Sequence, residues 1–561
     1  MKTNTRPIRK RPLLFAAALA LAAAAHSAHA ERDVPFSFLA PNADRVHLLG
    51  DFNAWKPSDD SLMARDPSGF WRKTIPLPDG TNAYAFFAEG PSVPASGWMQ
   101  DWKSSRVLND SDEIGPKSLL VLPGDLESFL ARQAPPRISE DGSIAIPLFY
   151  DRAPEDYSYF SPYGHQFAAL SSSPPAGDWS IPPLDGALPL FALLSFGDSR
   201  LLAVLDRSPA DAPFYNRLRL DRNFDRNLSN DDPIPLEPDS NGDYVHCFPP
   251  PVDLEVPAGN RSLPYSFRIQ FGGPASSNAL SDPSTNSFES FHFLAFPNCA
   301  YLGEVSIDGS PFRIALGDAN ANGRFGDPAA PLSDDVPSPG KRAPFGGDSL
   351  FLSPGDRPNY VDNLPFGHFL SLGSRLFAVR LDLPNGTMTL SPLSAGLAHL
   401  EFPASVDSMA LFSPSDSQVA MLKSVGLRAP IPPGSWRLVE YAASKSDEWG
   451  DRWSISASAS VDSPTFDAPP GDPVPFPFGE PLVAAVEINS NKLARAAGGR
   501  LEIDLAIYGR QKEIVDSVAR VSGTNSLHAT SKRRSDRPAE PQCRIVKPDG
   551  ERVFSGSFEY G

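Results

Sequence analysis

Two short stretches carry oxygen-bearing side chains at alternate positions, the pattern a hard cation requires. Asp221-Arg222-Asn223-Phe224-Asp225-Arg226-Asn227, followed by Asp231 and Asp232, puts oxygens at positions 1, 3, 5, 7 and 11 or 12 of a loop. A tight loop wraps such side chains round one Ca2+, which takes about six to eight oxygens. Asp318-Ala319-Asn320-Ala321-Asn322-Gly323-Arg324 repeats the spacing 97 residues later, with a glycine at position 6 for the sharp turn and Asp327 or Asp348 to complete the shell. The predicted ligands are Asp221, Asn223, Asp225, Asn227 and Asp232 in the first loop. Asp318, Asn320, Asn322 and Asp327 are those of the second. The alternative is a polar turn in which Asn and Asp cap their own backbone amides.

Nucleophile chemistry is poorly supported. Gly197-Asp198-Ser199 and Gly347-Asp348-Ser349-Leu350 superficially match the nucleophile block of GDSL lipases. That family follows its Ser with a Gly-x-Asn-Asp block and a closing Asp-x-x-His, and Phe196 to Leu202 reads instead as a hairpin turn. No Gly-x-Ser-x-Gly elbow, zinc helix or phosphate loop occurs. Paired carboxylates for glycoside hydrolysis need only meet in space, so a polysaccharide-active enzyme stays open.

The elements that position these residues are strands. With 61 Pro and 41 Gly in 561 residues, long helices are disfavoured, while 36 Phe and only 21% charged residues make the chain too apolar for disorder. Apolar residues alternate at Phe36 and Phe38, at Val46 and Leu48, from Tyr265 to Phe271, from Phe377 to Leu383 and from Leu501 to Ile507, which predicts strands throughout. Asn385-Gly386 predicts a two-residue hairpin turn. Helical pattern is confined to Asp125 to Gln133 and Gln511 to Val521. Joints are expected at Ala134-Pro135-Pro136, Ala275 to Ser287 and the Ser/Pro-rich Ser454 to Pro477. Asp549-Gly550 predicts a last hairpin, with Phe554, Phe558 and Tyr560 packing. Cys247, Cys299 and Cys543 allow one disulfide at most, and Cys247 with Cys299 is the candidate pair, three separately buried thiols being the alternative.

Met1 to Pro12 is basic and free of acids, Leu13 to Ala25 is apolar, and Ala28-His29-Ala30 suits cleavage, so residues 1–30 read as a secretory signal peptide. The mature chain, exported to a periplasm or beyond, would carry 45 Lys and Arg against 67 Asp and Glu, a net charge near -22. Nucleic acid and anionic membrane are poor partners for such a surface. Lys532-Arg533-Arg534 is expected in a solvated loop. The 13-residue apolar run is too short for a bilayer crossing, so membrane insertion is not expected.

Four of the eight Trp, at Trp55, Trp71, Trp98 and Trp102, fall before residue 124. The run from Phe36 to Trp55, with Gly50-Asp51-Phe52-Asn53-Ala54-Trp55 as its distinctive part, resembles the glycogen-binding module of AMP-activated protein kinase beta subunits and of starch branching and debranching enzymes. The likeness continues through Asp66 to Trp71, Leu77 to Gly80, Tyr84 to Gly90 and Trp98 to Asp101. It implies a small immunoglobulin-like sandwich in which Trp55 and Trp98 stack on glucose rings, with Asn53 as a polar neighbour. A sugar-binding Lys of the kinase version falls at Ala85, and its Thr and Asn fall near Pro116 and Ser118. Pro432 to Tyr441 resembles the edge hairpin of transthyretin-like sandwiches, and the two cation-type loops look like those of exported bacterial β proteins.

The expected architecture is all-β, several immunoglobulin-like or transthyretin-like antiparallel β-sandwiches in series: 31–124, 142–275, 288–393, 394–463 and 464–561, with a short helix and linker at 125–141. The expected function is noncatalytic binding of an α-glucan or related polysaccharide, with structural Ca2+. A polysaccharide-active enzyme and a calcium-braced structural or adhesive surface protein are the alternatives.

Overall fold

The computed structural model describes residues 31–90, 97–104, 107–108, 114–152, 164–186, 188–212, 214–241, 244–259, 261–274, 291–332, 342–354, 363–404, 406–446, 452–488, 503–520 and 542–558. Residues 1–30, where a signal peptide is expected, the expected joint at Ala275 to Ser287, Tyr560 and Lys532-Arg533-Arg534 lie outside them. The described chain is almost entirely β, as expected, in multiple antiparallel sheets. It divides into two compact units, 1–134 and 135–561, the break falling at the Pro135-Pro136 pair.

The first unit is a sandwich. Glu31–Leu39 pairs along its whole length with Phe70–Pro78, and Ala64–Arg65 adds a third strand. The facing sheet joins Arg45–Gly50, Gly80–Glu89, Lys117–Leu122 and Val107–Leu108, with Trp98–Met99 beside Gly80–Glu89. The alternating apolar residues Val34, Phe36, Phe38, Val46, Leu48, Tyr84 and Phe86 meet between the sheets. The helix Leu126–Arg132 drops Phe129 into this core, where its ring lies 5.2 Å from Phe36.

In the second unit, among the described residues, the largest sheet has 13 strands. Ile144–Pro147 pairs with Thr387–Leu393, Phe149–Arg152 with Cys299–Ile307, and Gln166–Phe167 with His292–Pro297. Tyr265, Phe267, Ile269 and Phe271 are all buried in one core, and Trp436, the largest fully buried side chain, anchors another.

Several expectations are corrected. The helix expected over Gln511 to Val521 does not form in the described part, up to Arg520: Ile514–Arg520 is a strand, because its β-branched Ile514, Val515 and Val518 suit the ladder with Arg452–Ser458. Ser454 to Pro477 is no loose joint. Arg452–Ser458 is paired on both sides, and Ala457, Ala468 and Phe476 are buried, small residues being supported by the strands that flank them. The Asn385-Gly386 hairpin has a four-residue loop, since Pro384 favours a 3-10 turn over Leu383–Asn385 and Gly386 closes it at φ 59°. Phe554 does not pack, being 52% exposed on the hairpin Gln542–Val546 and Arg552–Ser557. Cys247 and Cys299 are free thiols buried among apolar groups, which pushes them up to about 11 and about 12. Cys299 Sγ instead exchanges hydrogen bonds with the backbone of Ser266.

Candidate carbohydrate-binding face and two braced loops

The Gly50-Asp51-Phe52-Asn53-Ala54-Trp55 stretch is a device for presenting an indole ring. Gly50 must lack a Cβ, because one would come within 2.5 Å of the Ala83 carbonyl and of the Phe52 ring. Asn53 locks the turn: its Oδ1 accepts from the Gly50 N–H at 2.9 Å and its Nδ2 donates to the Leu48 carbonyl at 2.9 Å. Both arms of the Asn53 amide thus serve the backbone. Asp51 ties the turn to its neighbours, with Oδ2 accepting from the Ala83 N–H at 3.1 Å and Oδ1 accepting from Trp55 Nε1 at 3.1 Å. Ala54 and Trp55 both sit in the left-handed region, at φ 53° and 60°. For non-glycine residues that costs roughly 1–2 kcal/mol each, so the presentation of Trp55 is held against local preference.

Trp98 comes to the same place from the strand Trp98–Met99, opposite Phe87. The Trp55 and Trp98 rings are 6.3 Å apart and tilted by 57°, and Phe87 backs Trp98 edge-on at 5.1 Å. Both indoles are half-buried. Three residues after Trp98, buried Asp101 accepts from Tyr84 OH at 2.9 Å, which pins the segment to the core. Lys117 sets its ammonium 5.1 Å over the Trp55 ring, a cation–π contact that sequence reasoning missed. Lys117 lies between Pro116 and Ser118, the positions matching the module's other polar residues. Ser118 itself is turned to the interior, its hydroxyl accepting from the Asp101 N–H at 2.9 Å.

In the second unit the two cation-type loops have one backbone design. Each follows a strand, Arg217–Leu220 or Ser310–Gly317. Position 1 accepts from the N–H groups of positions 5 and 6: Asp221 from Asp225 and Arg226, both at 3.1 Å, and Asp318 from Asn322 at 3.2 Å and Gly323 at 2.7 Å. Position 3 accepts from position 5, Asn223 at 3.2 Å and Asn320 at 3.0 Å, and position 5 accepts from position 7 at 2.8 Å in both. Positions 4 and 6 are left-handed in both, Phe224 and Arg226 at 58° and 62°, Ala321 and Gly323 at 55° and 75°.

The loops differ in how their carboxylates are satisfied. In the second, Asp327 accepts from Asn322 Nδ2 at 2.7 Å, and buried Asp348 accepts from the N–H groups of Ala319, Gly326 and Asp327. Burial first, then repulsion from Asp327 on Asp318 and from Asp318 on Asp348, holds both carboxyls above the usual carboxylate range. In the first, Asp232 is exposed, whereas Asp231 is 93% buried and its Oδ2 has no hydrogen-bond partner. Asn227 Oδ1 accepts from the Ser229 N–H at 3.1 Å. An orphaned buried carboxylate oxygen beside Asp221 and Asp225 fits a cation. Among the described residues no three His, Cys, Asp or Glu side chains are placed to hold a metal by themselves, so such an ion would draw on Asn and main-chain oxygens as well.

The Gly197-Asp198 pair is a two-residue turn, Phe196 pairing with Ser199, and the Gly197 N–H donates to the Asn322 carbonyl at 2.7 Å. Both Gly-Asp-Ser matches therefore serve the second loop, Gly197 from outside and Asp348 from within.

Residues 24–110 match the family model of carbohydrate-binding module 48, the isoamylase N-terminal domain. The resemblance to glycogen-binding modules is borne out, and a carbohydrate-binding module occupies the N-terminal part of the chain. Relatives include the 1,4-alpha-glucan branching enzymes of Rhodopseudomonas palustris, 33% identical over 112 residues (20% of this chain, 15% of the relative), and of Cereibacter sphaeroides, 30% over 181 residues (28% and 24%). That of Nitrosomonas eutropha is 53% identical over 47 residues (8% and 6%). The chain thus spans less than a quarter of the length of these relatives. Among the described residues no helix is long and apolar enough to cross a membrane.

Proposed function

We propose that the protein is an exported, noncatalytic polysaccharide-binding protein that seats an α-glucan on Trp55 and Trp98, its second unit braced by Ca2+. The observation that carries this reading is the tilted pair of indoles, 6.3 Å apart and 57° from coplanar, held out by a left-handed turn. Indole faces take up the apolar C–H faces of glucose, and two tilted faces suit a curving α-glucan better than a flat β-linked chain. Lys117 and Asp51 supply polar groups beside the rings. Export rests on the basic start and the apolar Leu13 to Ala25 run. The cation rests on the unpartnered Asp231 Oδ2. Affinity electrophoresis of the mature chain in gels containing glycogen or amylopectin tests the glucan: retardation that Trp55→Ala clearly reduces is expected, and equal mobility with and without glucan overturns it. Turnover of labelled glucan by the mature chain would replace the noncatalytic reading with an enzyme.

A further inference from the structure

The strand Arg261–Pro274 lies between Tyr244–Cys247 and His292–Pro297, and in the register Gly272 stands opposite His246 on one side and His292 on the other. On this outer face the two imidazoles lean toward each other over the glycine, their centroids 5.7 Å apart. A Cβ on Gly272 would come within 2.7 Å of His292 Cε1 and 3.0 Å of His246 Nδ1, so the slot exists because residue 272 has no side chain. Gln270 Nε2 lies 3.4 Å from His246 Nδ1 and 3.3 Å from His292 Nε2. An amide NH2 has two protons to donate, so each imidazole offers it a nitrogen lone pair, and both lone pairs converge on one point. The second nitrogen of His292, Nδ1, meets Tyr244 OH at 3.0 Å, which fixes the ring's orientation. Burial and the neighbouring His246 both disfavour a proton on His292.

We propose that His246 Nδ1 and His292 Nε2, with the amide oxygen of Gln270, bind a divalent transition-metal ion of the Zn2+ class on this sheet face. Neutral imidazoles are the preferred ligands of such ions, whereas the oxygen loops of the same unit suit hard cations. Half a turn of the Gln270 amide exchanges its NH2 for its carbonyl oxygen at the point where the lone pairs meet. Water completes the coordination. Tyr244 plays the outer-shell part that metal-bound histidines commonly require. The site is independent of the glucan reading.

Isothermal titration of ZnCl2 into the mature chain, with Ca2+ in excess to fill the oxygen loops, tests the proposal. One equivalent of Zn2+ is expected. His246→Gln and His292→Gln should each weaken binding by at least about tenfold, and Tyr244→Phe should weaken it roughly tenfold at unchanged stoichiometry. Co2+ added to the wild-type chain should give visible d–d bands that Zn2+ abolishes, a readout needing no variant. Absence of both Zn2+ heat and Co2+ bands, or Zn2+ binding of equal strength in the two His variants, overturns the site.

Discussion

Arg226 and Gly323 occupy the same left-handed position, the sixth, of two loops with matching hydrogen bonds, at φ 62° and 75°. Glycine takes this conformation freely, and arginine does so at roughly 1–2 kcal/mol. The Arg226 guanidinium lies 5.7 Å from the Trp179 ring, a contact that offsets about 0.5–1 kcal/mol of that cost. Gly323→Ala should therefore destabilise the chain by about 1–2 kcal/mol, its Cβ also meeting Phe196 at 3.0 Å. Arg226→Gly should raise stability by less than about 1 kcal/mol. Urea unfolding of both variants measures the difference.

Loss of either indole should weaken glucan binding. Stacking on one aromatic face contributes on the order of 1 kcal/mol, so Trp55→Ala and Trp98→Ala should each raise Kd several-fold. Asn53→Ala should also weaken binding, through loss of the turn that presents Trp55, and should lower the melting temperature, which the Trp98 variant should do less. Titration with maltoheptaose, read beside thermal unfolding, separates binding from folding.

Cation removal should expose the cost of Asp231. Chelation should lower the melting temperature of the wild type, because a buried carboxylate oxygen is then left without a partner. Asp231→Asn should abolish most of that dependence and melt at least as high as wild type in chelator. A wild-type melting temperature unmoved by chelator would assign both loops to self-capped turns.

A pH effect should come from His47, buried in the first unit with Nδ1 2.9 Å from Ser61 Oγ. Burial first, and then Arg45, lowers its pKa below the usual 6.5. The unfolded chain then binds the proton more readily. The stability contribution is complete above about pH 6.5 and falls as pH drops from there through the lower folded-state value. Unfolding measured from about pH 7.5 to 5 should show this slope, and His47→Gln should flatten it.

The sequence made the strand character and the indole pair legible, because alternation and the Gly50 to Trp55 motif are local signals. It named Asp232 as the last ligand of the first loop, whereas Asp231 is the one that turns inward, since two adjacent carboxylates look alike until the pairing of Ile234–Pro235 with Arg217–Leu220 sets the chain leading into it. The place of Lys117 over Trp55 depends on Lys117–Leu122 pairing with Gly80–Glu89, a long-range register with no local mark. The Ser/Pro composition of Ser454 to Pro477 misled for the same reason: Arg452–Ser458 is held by partners on both sides rather than by its own propensity. Asp348 reaches the second loop through Ser310–Gly317 pairing with Ser349–Pro354.

The pairing of Ile144–Pro147 with Thr387–Leu393 also bears on how the molecule is made. Residues near the start of the second unit find their neighbours only after some 240 further residues have emerged, in the register Ile144 to Leu390. Such distant partners slow the search for the native state and leave strand edges open in the meantime. A nascent chain interrupted before Thr387 would leave one edge of Ile144–Pro147 without its strand partner, its backbone N–H and C=O groups open to pairing with another chain.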